Sequence, residues 1–234
     1  MRGPETEGAG AGGEDDGSGA GGTTAGRTRG GEDDGREDDG REDDVSDGRP
    51  EIASVVRLAW SRAPAAGRTR VVAIDGRSGS GKTSLAAKLS DALSAPVVAL
   101  ECLYGGWDGL ERGIDMLVSE VLEPVAAGRA ALVPRYDWVA AAWDTPWTLE
   151  PPEVLIVEGV GAGARRAAGY QSVLVWTEAA ASVRKKRALD RDGETFQPYW
   201  DQWAAQEDAM LARERTPQRA DIVIDGITGH ILRT

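Results

Sequence analysis

From residue 51 onward, apolar and polar positions sort into short hydrophobic runs separated by amphipathic stretches. Ile52, Val55, Val56, Ala59 and Trp60 recur at the spacing of one helical face, and Pro64 closes that helix. The run Val71-Val72-Ala73-Ile74 predicts a buried strand over Arg70–Asp75, and a helical pattern follows to about Ser94. Pro96 restarts the chain into a second strand, Val97-Val98-Ala99-Leu100, and a loop rich in glycine and aromatics leads on from Glu101. Leu110 to Ala127 reads as a helix with Leu117, Val121 and Leu122 on one side and Gly128 as its stop. Ala131-Leu132-Val133 is a short strand candidate, followed by a loop dense in tryptophan and proline. Val154–Val157, Val173–Trp176 and Asp221–Gly226 predict further strands, with helices over Ser182–Asp192 and from Pro198 to about Arg215. Strands alternating with helices imply a three-layer α/β fold around a central parallel sheet. Ligands of such sheets sit at the carboxyl ends of the strands.

Composition divides the chain in two. Residues 1–50 hold 15 of the 31 glycines and 15 of the 39 acids against 6 of the 27 basic residues, hence nine of the twelve net negative charges. A short repeat runs through them: Glu32-Asp33-Asp34-Gly35-Arg36, Glu37-Asp38-Asp39-Gly40-Arg41, Glu42-Asp43-Asp44. Such a segment cannot bury enough apolar surface to offset its ordering entropy, so it reads as a disordered tail. It is either a solubilising extension, the product of a misplaced start codon, or an arm for a basic partner. Residues 51–234 have the length and apolar content of one folded domain. Cys102 is the only cysteine, which excludes an intramolecular disulfide and a cysteine-rich metal site. No basic stripe with interleaved aromatics points to nucleic acid, and no leader or membrane span is read, so the expected compartment is the cytoplasm.

The chemistry lies between the first strand and its helix. Gly76-Arg77-Ser78-Gly79-Ser80-Gly81-Lys82-Thr83 fits the phosphate-binding pattern G-x-x-x-x-G-K-[ST], and strand–loop–helix is the context that gives this pattern its meaning. Its glycines let backbone N–H groups turn in around a phosphate at a helix N-terminus. Lys82 would reach the β- and γ-phosphates of ATP, and the Thr83 hydroxyl would hold Mg²⁺. Glu158 closes the apolar strand 154–157, where a carboxylate can hold Mg²⁺ directly or through water. Arg184, Arg187 and Arg191 share a face of one predicted helix and could close over the nucleotide as a lid. Glu101, just after the second strand and adjacent to the phosphate loop in the expected sheet, can accept a proton from a substrate hydroxyl or orient it. Tyr136 and Asp137, at another strand end, and Tyr104 and Trp138 could line a substrate pocket, with Trp107, Trp143 and Trp147 adding aromatic surface. His230, the lone histidine, has no visible partner and receives no role.

Taken together, these residues resemble the uridine kinase and phosphoribulokinase family of P-loop kinases over about residues 68–226. Ile74-Asp75-Gly76 opens the phosphate loop as in that family. Glu101-Cys102-Leu103-Tyr104 is similar to its D-S-F-Y segment, Pro134-Arg135-Tyr136-Asp137-Trp138 to P-x-Y-D-F, and Val157-Glu158-Gly159 to V-E-G. Arg184, Arg187, Arg191 and Asp192 resemble its arginine-rich lid ending in R-D, and Ala220-Asp221-Ile222-Val223 its closing A-D-I-I strand. The resemblance implies a P-loop NTPase fold, use of ATP and Mg²⁺, and transfer of the γ-phosphoryl group to a hydroxyl-bearing small molecule, with a uridine-like nucleoside as the first acceptor. It implies Glu101 as the base, where the family has aspartate. The histidine and arginine that contact the nucleoside in uridine kinases are replaced by Ala141 and Trp143. Two other readings stay open: a kinase of the same fold acting on another alcohol (a sugar, vitamin or antibiotic), and a regulatory module that binds nucleotide without turning it over.

Overall fold

The computed structural model describes residues 49–234, so the tail read as disordered lies outside the described residues except for Arg49 and Pro50. The chain enters through α1 (Pro50–Ser61), with proline in the first turn, where its missing N–H removes no intrahelical bond. It continues through β1 (Arg70–Gly76), α2 (Lys82–Leu93) and β2 (Val97–Ala99) into a 3₁₀ turn, Leu100–Cys102. α3 (Leu110–Met116) runs through a π-helical stretch, Leu117–Leu122, into α4 (Glu123–Ala126). β3 (Ala131–Asp137), β4 (Ala142–Leu149), β5 (Val154–Glu158) and β6 (Val173–Glu178) follow. After α5 (Ala181–Phe196), α6 (Trp200–Glu214) and a short α7 (Thr216–Arg219), the chain ends in β7 (Ile222–Asp225) and β8 (Ile231–Arg233).

Six strands form one sheet in the order β2-β5-β1-β6-β7-β8, parallel except for β8, which pairs antiparallel with β7. Side chains of the three central strands alternate between two cores, as the two-residue period of a strand requires. Val72 and Ile74 of β1, Val154 and Ile156 of β5, and Val173 and Val175 of β6 pack with Val55 and Ala59 of α1 and Leu85 and Leu89 of α2. Val71 and Ala73, Leu155 and Val157, and Leu174 and Trp176 pack on the opposite face with Ile114 of α3, the π-helical Leu117 and Val121, and Met210 of α6. Both faces are covered, which is why the strands read as continuous apolar runs.

Three expectations are corrected. Ala131–Asp137 does not join the parallel sheet; it forms a separate antiparallel hairpin with β4, the segment expected to be a loop. β4 is exposed along all but its last residue and contains Pro146, so it carries neither the alternation nor the composition of a strand. It forms because Trp143 and Trp147 pair with Tyr136 and Val133, while Pro134 falls in the register shift where ladder bonds are interrupted. Second, β2 is not the neighbour of β1: β5 lies between them, so Glu101 is one strand removed from the phosphate loop in the sheet. Third, the sheet has an additional strand after the expected last one, β8, whose three residues are too few to show a strand's period. Among the described residues, no helix is long and apolar enough to cross a membrane.

Candidate active site

β1 delivers the chain into the phosphate loop at the carboxyl edge of the sheet, and each turn of the loop has its own anchor. Buried Asp75 accepts hydrogen bonds from Gly76 N (2.7 Å), Gly161 N (2.9 Å) and Gly163 N (3.0 Å), tying β1 to the glycine-rich turn after β5. Ser80 Oγ and Thr177 Oγ1 share a hydrogen bond of 2.6 Å that holds the loop to β6. Gly79 has φ of +77°, and a Cβ there would overlap the carbonyl oxygen of Arg184. A side chain at that position would therefore push the loop off α5. Gly81 precedes α2, whose first turn has no side-chain cap, so its N–H groups face the loop.

A second anchor was not foreseen. Glu207 of α6, only 1% exposed, accepts from Ser78 N (2.8 Å), Ser78 Oγ (2.7 Å) and Trp203 Nε1 (3.0 Å), all at Oε1. Arg77 completes the cluster, ion-paired to Asp208 and 3.8 Å from Glu207 Oε2. Sequence offers no signal for this contact, because α6 lies some 129 residues along the chain from Ser78. Glu207→Ala would strand the part-buried Ser78 backbone N–H, worth about 1–3 kcal/mol when unpaired, while Trp203 Nε1 keeps its bond to Ser78 Oγ. We expect it to lower stability in urea unfolding by roughly 1–3 kcal/mol and to weaken nucleotide binding measured by calorimetry; unchanged values for both would show that Glu207 does not hold the loop.

Lys82, 8% exposed, donates from Nζ to the Arg77 carbonyl at 3.0 Å. Burial pulls its ammonium below the usual lysine range, against the opposing pull of Glu158, Glu207 and Asp75. Thr83 Oγ1 donates to Glu158 Oε1 at 3.1 Å, bringing a hydroxyl and a carboxylate together beside that ammonium. Burial pushes the Glu158 carboxyl up, while Lys82 draws it down. A desolvated lysine over a glycine cradle suits a polyphosphate, and the Thr83–Glu158 pair offers hard oxygen ligands of the kind Mg²⁺ takes, alongside phosphate and water. Among the described residues no cluster of three or more His, Cys, Asp or Glu is placed to hold a metal by itself.

The three arginines of α5 point to different places. Arg184 is buried, donating to Ala179 O (3.1 Å) and to Ser78 O (3.4 Å) against the loop. Exposed Arg187 donates to Gly226 O at 3.0 Å. Arg191 makes a two-pronged pair with Asp192, both bonds 2.7 Å, which holds its guanidinium above the usual range. α5 then breaks at Gly193 (φ 52°, ψ −133°), redirecting Thr195 and Phe196.

A cavity of about 310 Å³ opens beside the loop. Ser78, Gly79, Lys82, Thr83 and Glu158 form its phosphate end, and Glu101, Tyr104, Trp138, Arg191 and Asp192 line it further out. Trp107, Phe196 and Trp203 complete the aromatic wall. Arg187, Tyr136 and Asp137 do not line it. Tyr136 packs edge-on against Trp138 and Trp143, while Asp137 Oδ1 accepts from Val139 N (2.8 Å) and Ala140 N (2.9 Å) in the hairpin turn. Trp143 and Trp147 lie exposed on β4. Thus the cavity gathers the phosphate loop, the Mg²⁺ candidates and Glu101, but only part of the expected substrate set.

Asp75 adds a pH signature. Burial pushes its carboxyl up to about 6, although three backbone N–H groups and Lys82 oppose the shift. With the folded value above the unfolded one, its stabilising contribution is complete below about pH 4 and is lost as pH rises through 6. In Asp75→Asn that loss is absent. We expect the stability deficit of the variant relative to wild type to shrink by about 2–3 kcal/mol between pH 4 and pH 7 in urea unfolding. A deficit independent of pH would contradict the shift.

Sheet order, loop and helix N-terminus give an α/β fold similar to that of P-loop kinases. In line with this, the chain is similar to a possible uridine kinase from Bacillus stearothermophilus, with 21% identity and a TM-score of 0.57 over 76% of this chain and 98% of that one. A weaker likeness, TM-score 0.45 at 19% identity, is to a candidate fructose transport system kinase from Silicibacter, over 74% of this chain and 94% of that one. At these identities the likeness is one of fold. No family model and no curated protein matches the chain.

Proposed function

We propose that the chain is an ATP- and Mg²⁺-dependent kinase that transfers a phosphoryl group to a hydroxyl of a small molecule. The observation that carries this reading is the convergence, on one cavity, of the phosphate loop with Lys82, the Thr83–Glu158 pair and the Glu101 carboxylate. ATP with Mg²⁺ would supply the γ-phosphoryl group. Lys82 would neutralise charge on the transferring group, Thr83 and Glu158 would hold the metal, and Arg191 would approach from the α5 side. Glu101 would take or orient the acceptor's proton, and the aromatic wall would exclude water from the transfer. Arg184 and Arg187, bonded to loop and β7-end carbonyls, would support the nucleotide's other side.

The fold neighbour's description and the sequence resemblance both nominate a uridine-like nucleoside as acceptor. Ala141 and Trp143, at the positions of the family's nucleoside-contacting pair, do not line the cavity. The reading we carry is therefore the broader one, an alcohol acceptor. Calorimetry with a non-hydrolysable ATP analogue and Mg²⁺, followed by ADP release over a panel of alcohols, tests it. Tight analogue binding and acceptor-dependent ADP release are expected; failure to bind the analogue would overturn the reading.

A further inference from the structure

The cavity beside the phosphate loop is walled largely by aromatic side chains. Five rings contribute: Tyr104, Trp107, Trp138, Phe196 and Trp203. The polar handles of three are already engaged within the protein. Tyr104 Oη donates to Val160 O (2.9 Å), Trp138 Nε1 to Glu101 O (3.0 Å), and Trp203 Nε1 to Ser78 Oγ and Glu207 Oε1 (both 3.0 Å). With their polar atoms occupied, those three side chains offer a ligand their carbon surface. The indole N–H of Trp203 rests on a carboxylate, which makes its ring more electron-rich.

Charge reinforces the pattern. Lys82 belongs to the phosphate end, and Glu158 is bonded to Thr83. Beyond them, the charged groups lining the cavity are Glu101, Asp192 and Arg191. Arg191 is neutralised by its two bonds to Asp192, while Glu101 makes no side-chain hydrogen bond or ion pair among the described residues. The balance at that end is one negative charge, faced by rings. A phosphorylated sugar would find no uncompensated cation there. For a neutral base edge rich in carbonyls, the donors among the lining side chains are the Thr195 hydroxyl, the Trp107 indole N–H and the Arg191 N–H groups not bonded to Asp192, none of which pairs with a positive charge on a ligand as the Glu101 carboxylate can. A cation over electron-rich rings, with a carboxylate nearby, gains both from the ring quadrupole and from charge pairing.

We propose that the acceptor is an alcohol carrying a protonated amine, held with its ammonium group on the aromatic wall and its hydroxyl toward the phosphate loop. This rests on the kinase reading above. The reaction it implies is the transfer already described: the acceptor oxygen bonds to the γ-phosphorus, the bond to the β-phosphate oxygen breaks, ADP leaves, and the hydroxyl proton passes to Glu101 or solvent.

The test uses the full-length chain with ATP and Mg²⁺ and matched sets of acceptors. Hexosamines, aminocyclitols and aminoglycosides are each paired with their N-acetylated forms and set beside glucose 6-phosphate, uridine and cytidine. The expected result is an amine-bearing member whose kcat/KM exceeds that of its N-acetylated partner by about tenfold or more. Trp138→Leu should erase that preference, whereas Trp138→Phe, which keeps a ring, should retain part of it. Equal or better turnover of neutral or phosphorylated alcohols would overturn the proposal. So would absence of turnover of every amine-bearing alcohol by a protein that binds the nucleotide analogue. Absence of analogue binding would instead overturn the kinase reading, and this proposal with it.

Discussion

Lys82→Ala is expected to reduce phosphoryl transfer by about a thousandfold or more while the domain remains folded. Removing one preorganised donor from a site of developing charge typically costs 10²–10³-fold, and here the donor is a full ammonium group that burial has already stripped of water. The fold should tolerate the change, because among the described residues the one hydrogen bond of the Lys82 side chain runs to a carbonyl within its own loop. The loss of a buried charge also relieves desolvation, so the melting temperature should change little. Single-turnover kinetics on the first acceptor found will check this. Turnover near the wild-type rate would mean that the nucleotide lies elsewhere.

The second large effect is expected at Glu101. General-base assistance is worth about 10²–10⁴-fold, and the loose transition state of phosphoryl transfer places this case at the lower end. Glu101→Gln should therefore lower kcat roughly a hundredfold and leave affinity for the ATP analogue nearly unchanged, since among the described residues the Glu101 side chain makes no hydrogen bond or ion pair to the phosphate loop. Its exposed position on the 3₁₀ turn after β2 argues that the substitution will not disturb packing. Turnover within a few-fold of wild type would remove Glu101 from the chemistry. It would also favour a module that binds nucleotide and leaves catalysis to nothing in this cavity.

The phosphate-loop end of the candidate site was legible in the sequence because its information is local. A run of four apolar residues, an octet and a helix suffice to place Lys82 and Thr83, and the parallel-strand rule brings Glu158 to the same edge. The loop's outer anchor and the aromatic wall were less legible because they are assembled from afar. Trp203 and Glu207 reach Ser78 from another helix, and Thr195 and Phe196 reach the cavity only because Gly193 bends α5. The hairpin escaped notice for a different reason. β4 buries almost nothing along its length, so its residues carry no two-residue period; its pairing is held by cross-strand aromatics instead. Spacing did place three arginines on one helix, but it could not say that each would reach a different oxygen.

The stack at Trp107 gives the molecule a built-in optical probe. Its ring lies nearly parallel to Phe196 at 5.0 Å and to Tyr199 at 4.9 Å, both from the segment beyond the Gly193 break. Rings fixed at such distances in an asymmetric setting couple their electronic transitions and give near-ultraviolet circular dichroism. If that segment swings outward, the coupling is lost. Any displacement of this segment would therefore register in unlabelled protein as substrates are added one at a time.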